Sequence, residues 1–352
     1  MATIRKQTGN FLEDFRIGGV LRHKVGKTVT EGLVNAFTEF SMSTNPLHKN
    51  RRYARLYGYR DMILPPGLVM AVVFSQSVED VSENARANLE YVDMRFGAPV
   101  YAGDTLESTS LVLGVTPSSK DKSLGVVHVQ TTGRNQHGEV VLTYERKVQV
   151  WKHDLDAEVV KQATEAPPVA CALELPPYDP AVPYRSLGHL SNADTYFEDF
   201  TVGDTIAHSR GRTMTSEHIA LTAMLDNTSQ VHCNQHMIDQ NPDRYVGGQL
   251  IIFGGIPFQL CLGLSSPDVA DNSLGDLAYR TGRHSAPLFA GDTVFASTEI
   301  TGTRDYPGRP DVGILDTILR GHKFATGAGG AEKVEIFYLE RSLAVKRRSH
   351  YA

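Results

Sequence analysis

APVYAGDT, Ala98–Thr105, returns in the second half of the chain as APLFAGDT, Ala286–Thr293. Six of the eight positions are identical, and the two that differ, Val100/Leu288 and Tyr101/Phe289, exchange like for like. At the same spacing, Tyr91 and Arg95 upstream match Tyr279 and Arg283. Nearer the start of each half, NFLEDFRIGG (Asn10–Gly19) recurs as TYFEDFTVGD (Thr195–Asp204). Thr28 and Thr30 answer to Thr213 and Thr215, STNPLH ending in His48 answers to NTSQVH ending in His232, and Pro65–Leu68 faces Gly254–Ile256. Matches in the same order at nearly constant spacing identify a tandem duplication with a few loop insertions.

The bulk properties agree with two domains. A chain of 352 residues suits two cores better than one, and 41% hydrophobic with 21% charged residues is a soluble globular composition. A net charge of −5 argues against a nucleic-acid binder. No apolar run approaches the length of a membrane span; Gly67–Phe74 is far too short. The N-terminal MATIRKQTGNFLEDF lacks the apolar core of a signal peptide. Three cysteines, Cys171, Cys233 and Cys261, make no disulfide framework and point to the reducing cytoplasm. Between the halves lies EAPPVACALELPPYDPAVPYR (Glu165–Arg185), whose six prolines favour an extended connection. The expected organisation is one domain over 1–157, a linker over 158–183 and a second domain over 184–352.

Each half reads as a helix followed by a meander. GLVMAVVFSQSVEDV (Gly67–Val81) places apolar residues at helical spacing. The segments after it alternate and are rich in β-branched residues, with a hairpin turn at Gln136–Gly138. The second half repeats this order. The predicted class is α+β: in each half an antiparallel sheet wraps around one central helix. The AGDT phrase itself reads as a tight turn into a strand, glycine taking a positive φ and aspartate a local hydrogen bond.

These residues resemble the MaoC-like hydratase family. Its signature is Asp-x-Asn-Pro-x-His, followed by an alanine, a glycine and a His-Gly-x-Leu helix start, and later by Arg-Phe-x-x-Pro-Val-x-x-Gly-Asp. Here Asn45-Pro46-Leu47-His48, Ala54, Gly58, Pro66-Gly67-Leu68 and Arg95-Phe96 through Gly103-Asp104 match. The resemblance implies a tandem (double) hotdog fold, and the whole-chain layout is most similar to the double-hotdog members that act on mesaconyl-CoA. It implies hydration of a 2-enoyl-CoA thioester, with no metal or redox cofactor and a homodimeric assembly. Two departures stand out. Ser43 occupies the position of the signature aspartate, and the second half has Asn227 there, with Ser229-Gln230 for Asn-Pro; Asp226 lies one residue out of register.

Hydration of an enoyl thioester needs a base for water, an acid for Cα and donors for the charge on the thioester oxygen. The resemblance assigns the proton chemistry to His48 with Asn45, and as the alternative half to His232 with Asp226. The bland reading of His48 is a buried, hydrogen-bonded imidazole, and that of Asn45 a helix cap. Gly67 and Gly255, at helix starts, are expected to offer backbone N–H groups to the oxyanion. Ser43, Tyr59, Pro66, Leu68, Phe96 and Gly97 are assigned to substrate binding. A dicarboxylic acyl chain also needs a cation, since an unpaired buried carboxylate is costly. Arg60 is the preferred candidate, from a stretch whose other cations, Lys49, Arg51, Arg52 and Arg55, read as a solvated helix face. Arg95 reads equally as a ligand contact or as an ion pair to Asp104, and Arg283 likewise to Asp292. His232 and His236, four apart, lack a third zinc ligand, and Gly327–Gly330 reads as a loop. A hotdog thioesterase, or an acyl-CoA-binding protein whose catalytic pair has decayed, remain the competing functions.

Overall fold

The computed structural model describes residues 9–242, 244–327 and 330–352. The signal-peptide reading rests in part on residues 1–8, and the glycine-rich loop on 328 and 329, which lie outside the described residues.

The first half runs β1 (Val20–Arg22), β2 (Lys27–Thr28), α1 (Glu31–Phe40), α2 (Arg51–Leu56) and α3 (Pro66–Gln76). The long strands β3 (Ala85–Phe96), β4 (Thr105–Pro117), β5 (Leu124–Arg134) and β6 (Val140–Trp151) follow. Between 152 and 183 the only regular element is the short β7 (Gln162–Ala163), which pairs with β4. The second half repeats the order with β8 (Thr205–Thr213), α4 (Glu217–Met224), α5 (Gln235–Asp239) and α6 (Gly255–Ser265). Then come β9 (Ser273–His284), β10 (Thr293–Tyr306), β11 (Arg309–Gly327), β12 (Gly330–Lys346) and a last turn, α7 (Arg348–Tyr351).

The strands join in one antiparallel sheet of order β1-β4-β5-β6-β3-β9-β12-β11-β10-β8. The halves meet at its centre, where β3 pairs with β9 through Tyr91–Gly282, Val92–Thr281, Met94–Tyr279 and Arg95–Ala278. Both central helices lie against this sheet and each other. Proline at the first position of α3 supplies the helical φ, and every residue from Gly67 to Gln76 is buried, so the helix is apolar on all sides. The α3–α6 crossing is close enough that a Cβ on Gly67 would sit 2.3 Å from Gln259 Oε1, and one on Gly255 would sit 3.1 Å from Ala71 Cβ.

The expected helix Gly67–Val81 is shorter than its apolar pattern. The α-helix stops at Gln76 and Val78–Ser82 forms a single π-turn, as Ser266–Ala270 does after α6. The predicted hairpin turn stands, with Gly138 at φ 80 and Asn135 N–H donating to Glu139 O at 3.0 Å. So do the AGDT turns: Gly103 and Gly291 take φ 93 and 98, and Asp104 and Asp292 accept from the N–H groups of Tyr101 and Phe289 at 2.8 and 2.9 Å. The duplication reaches buried networks too. His23 bridges Asp80 and Ser110 at 2.7 and 2.8 Å, and His208 bridges Asp268 and Thr298 at the same two distances.

Candidate active site

His48 ends a short 3-10 turn, Pro46–His48, capped by Asn45, whose Oδ1 accepts from Leu47 N–H at 2.9 Å. The rest of Asn45 reaches into the other half. Its Nδ2 donates to the carbonyls of Ala270 and Ser273 at 2.9 and 3.3 Å, and its N–H donates to Ser266 Oγ at 2.9 Å. Asn45 therefore clamps the histidine turn onto the second half, with all its polar groups engaged. His48 Nδ1 lies 3.0 Å from the carbonyl of Ile63. A carbonyl only accepts, so Nδ1 carries the hydrogen and Nε2 is left with its lone pair. Burial lowers the pKa of His48; the Ile63 carbonyl and Asp276 oppose that, and Arg341 adds to it. At neutral pH the imidazole is an uncharged base.

The pocket that His48 lines is built from both halves. The first supplies Ser43, Pro66, Phe96 and Gly97; the second supplies Gln259 from α6, Asp276 from β9 and Arg341 from β12, and the connecting segment adds Leu173. Asp276 and Arg341 form a buried bidentate pair, Nε to Oδ1 at 2.5 Å and Nη2 to Oδ2 at 3.1 Å. Burial works against the charge on Arg341, but Asp276 and Tyr279 outweigh it and leave its pKa above the ordinary value.

A second pocket, at the equivalent place, contains His232, Asn227 and Ser229 with Gly254. His232 Nδ1 meets the Ile251 carbonyl at 2.8 Å, the same restraint as in the first half. Burial pushes its pKa down to about 4. The wall contributed by the other half here includes Val78, Ala85, Arg86, Asn88 and Tyr91; Arg86 is exposed, and no buried charged pair equivalent to Asp276–Arg341 is among the described lining residues.

Several expected site residues lie elsewhere. Arg60 does not reach the pocket: its Nη2 binds Asp104 at 2.7 Å, its guanidinium stacks 4.1 Å from the Tyr101 ring, and its side chain is 60% exposed. Tyr59 is a core residue whose hydroxyl donates to Leu274 O at 2.6 Å, and Leu68 is fully buried among core side chains. Arg95 pairs with Asp93 at 3.0 Å rather than Asp104, and Arg283 with Glu335 rather than Asp292. Asp226 points away from His232, to Lys27 of the other half at 2.5 Å, from a backbone with φ 57. Gly255 serves the helix crossing against Ala71 and does not line the second pocket. Gly67 likewise is not among the residues lining the His48 pocket, though its neighbour Pro66 is, and its N–H, expected free at the helix start, donates to the lining residue Gln259 through Oε1 at 3.0 Å. Gly97 is required by the approach of β6, since a Cβ would fall 2.1 Å from Val140 O.

Sequence reasoning missed Gln259, Asp276 and Arg341 because they come from the half opposite His48. The signal was present: Asp276 sits three residues before the duplicated Tyr279, where the first copy has Asn88 before Tyr91.

Solved structures share this architecture from end to end. A MaoC domain protein from Chloroflexus aurantiacus J-10-fl matches over 98% of this chain and 100% of its own, with TM-score 0.86 and 33% identity. A Mycobacterium tuberculosis protein with a double hotdog fold matches over 96% and 98%, with TM-score 0.78 and 20% identity, a likeness of fold alone. The fold is the double hotdog of MaoC-like proteins. Among curated relatives, the β-methylmalyl-CoA dehydratase of C. aurantiacus is 38% identical over 312 residues, 87% of this chain and 86% of that one. The mesaconyl-CoA hydratase of Cereibacter sphaeroides is 33% identical over 330 residues, 92% of each. Residues 2–318 match the mesaconyl-CoA hydratase family model, and the chain belongs to that family.

Proposed function

We propose that the protein reversibly hydrates mesaconyl-CoA to β-methylmalyl-CoA, and that the pocket at His48 does so. The observation that carries the site is the contact of His48 Nδ1 with the Ile63 carbonyl in a pocket that His48 lines, which leaves the Nε2 lone pair for chemistry. In this reading Nε2 takes a proton from water as the water oxygen bonds to Cβ. The electron pair of the alkene moves toward the thioester oxygen, and the imidazolium returns the proton to Cα. One imidazole serves both transfers, so the reaction does not depend on the aspartate that Ser43 replaces. The thioester oxygen takes over the Gly67 N–H from Gln259 Oε1, an acceptor of the same kind at the N-terminus of α3. Asn45 is then a positioning residue, and Phe96, Gly97 and Pro66 are walls of the pocket.

The test is incubation with mesaconyl-CoA while the conjugated enoyl-thioester absorbance and free thiol are followed together. Loss of absorbance without thiol supports the hydratase; thiol release makes the protein a thioesterase; silence leaves an acyl-CoA-binding protein. We further propose a cytoplasmic location, which the three free cysteines support. We also propose hotdog units over 1–157 and 184–352, and a homodimer, which sedimentation would measure.

A further inference from the structure

Mesaconyl-CoA carries its free carboxylate on the carbon that receives the hydroxyl, so the group that meets this charge must stand close to the histidine. Arg341 is the one cation among the described residues lining the His48 pocket, and it is only 6% exposed. We propose that Arg341, steered by Asp276, is the receptor for the free carboxylate of the acyl chain, and that this buried pair makes the His48 pocket selective for dicarboxylic thioesters, whereas the His232 pocket has only the exposed Arg86. The inference rests on the hydratase reading above.

The donor count leaves room for a ligand. A guanidinium has five N–H groups. Asp276 takes Nε–H and one hydrogen of Nη2, Nη1 makes a long 3.4 Å bond to Ser265 Oγ, and the Tyr279 hydroxyl lies near enough to favour the charge, which still leaves N–H groups over. Asp276 fixes the plane of the guanidinium along one edge, which directs the Nη1 side to a second carboxylate. Charged hydrogen bonds of this kind are roughly twice as strong as neutral ones.

The duplication supplies an internal control. Arg341 faces Tyr279 across the β12–β9 ladder, and Arg146 faces Tyr91 across β6–β3. Arg341 bonds Ser265 and Arg146 bonds Ser77, each at the end of a central helix. The two arginines are thus the same residue in two copies. In the first copy, however, Asn88 stands where the second has Asp276. Arg146 has no carboxylate partner there: its guanidinium lies 4.3 Å from the Phe74 ring, and its Nε and Nη1 find no protein acceptor. It does not line the His232 pocket. The acid is therefore dispensable for building the domain. Its retention beside His48 alone marks a binding device rather than a structural one.

The test compares two inert four-carbon thioesters as inhibitors of mesaconyl-CoA hydration. Succinyl-CoA places a carboxylate, and butyryl-CoA a methyl group, at the end of the same chain. The wild-type protein should bind succinyl-CoA at least 10-fold more tightly, and Arg341→Gln should bring the ratio of the two inhibition constants close to one. Because that variant leaves Asp276 buried without its partner, the neutral Asp276→Asn/Arg341→Gln, which places at 276 the amide that the first copy carries as Asn88, is measured beside it by direct binding of both thioesters. A ratio near one in the double variant supports the inference. A ratio unchanged from wild type, or a wild type that does not prefer succinyl-CoA, overturns it. Wild-type failure to hydrate mesaconyl-CoA would instead overturn the functional reading, and the binding ratio would still be measurable.

Discussion

Replacing His48 with asparagine separates its chemical role from its structural one. The carboxamide keeps a donor within reach of the Ile63 carbonyl, which His48 Nδ1 contacts at 3.0 Å, but offers no basic nitrogen at the position of Nε2. Loss of that bond alone costs about 1 kcal/mol of stability, and less if the asparagine replaces it. Loss of the base removes a proton-transfer contribution of about 10²–10⁴ in rate, or roughly 3–5 kcal/mol of barrier. The chain carries its own control, because His232 is held by Ile251 in the same manner at 2.8 Å. His48→Asn should therefore lower kcat for mesaconyl-CoA by about 10²–10⁴ while the urea-unfolding free energy changes by less than about 1 kcal/mol. His232→Asn should leave kcat within about threefold. Steady-state turnover and denaturant titration of both variants decide it. Near-normal turnover in a folded His48→Asn protein, with loss in His232→Asn, would refute the assignment and transfer the chemistry to the second pocket.

Other outcomes follow from the buried titratable groups and the helix crossing. Burial lowers the pKa of His48, so the acid limb of kcat/KM should fall below the ordinary histidine value of 6.5 and the profile should be flat through neutrality; a limb above 6.5 would contradict this. Burial holds His232 and His284 at about 4 in the folded state. Unfolded histidines take up protons first, so stability is full above 6.5 and is lost as pH falls toward 4. Each contributes about 2 kcal/mol of loss by pH 5, and a urea midpoint that does not move between pH 7 and 5 would oppose it. Gln259→Ala removes the side chain that competes for the Gly67 N–H, which should lower KM by about 2- to 10-fold; a raised KM would mean that Gln259 helps to bind substrate. Lys346 is buried against Tyr53 Oη at 2.5 Å and the Tyr57 ring at 4.3 Å, and burial depresses its pKa well below the usual value. Its cost therefore fades as pH rises toward 10.5, and Lys346→Met should keep the fold while removing that rise in stability with pH; an unfolded Lys346→Met would show that the amine is needed.

The repeat was the most legible feature, because duplicated turns constrain backbone angles that only certain residues accept, as Gly103 and Gly291 show. The central helices were legible from their apolar runs, but not their ends: a π-turn keeps the apolar spacing of Val78 and Val81 while leaving the α-helix. Within the site, the motif around His48 was readable because the Asn45 cap on Leu47 and the Pro46–His48 turn are local, whereas the bonds of Asn45 to Ser266, Ala270 and Ser273 of the other half were not. Arg60 misled for a complementary reason. A cation near the motif in sequence found Asp104 and Tyr101 first, and the buried cation came from a strand almost 300 residues away. Composition cannot distinguish those two arginines; register against the duplicated tyrosines can.

The seam between β3 and β9 has a mechanical consequence. Each pocket takes its histidine from one half and its opposite wall from the other, and the halves share a continuous sheet and crossed helices. Opening the cleft by swinging one half would tear that ladder and separate Gly67 from Gln259. What closes the pocket at this level is side chains rather than domains: Gln259 from α6, and Leu173 of the proline-rich connection, packed where a Cβ on Gly275 would lie 2.4 Å away. The connection is thus part of the enclosure, not merely a tether between the halves.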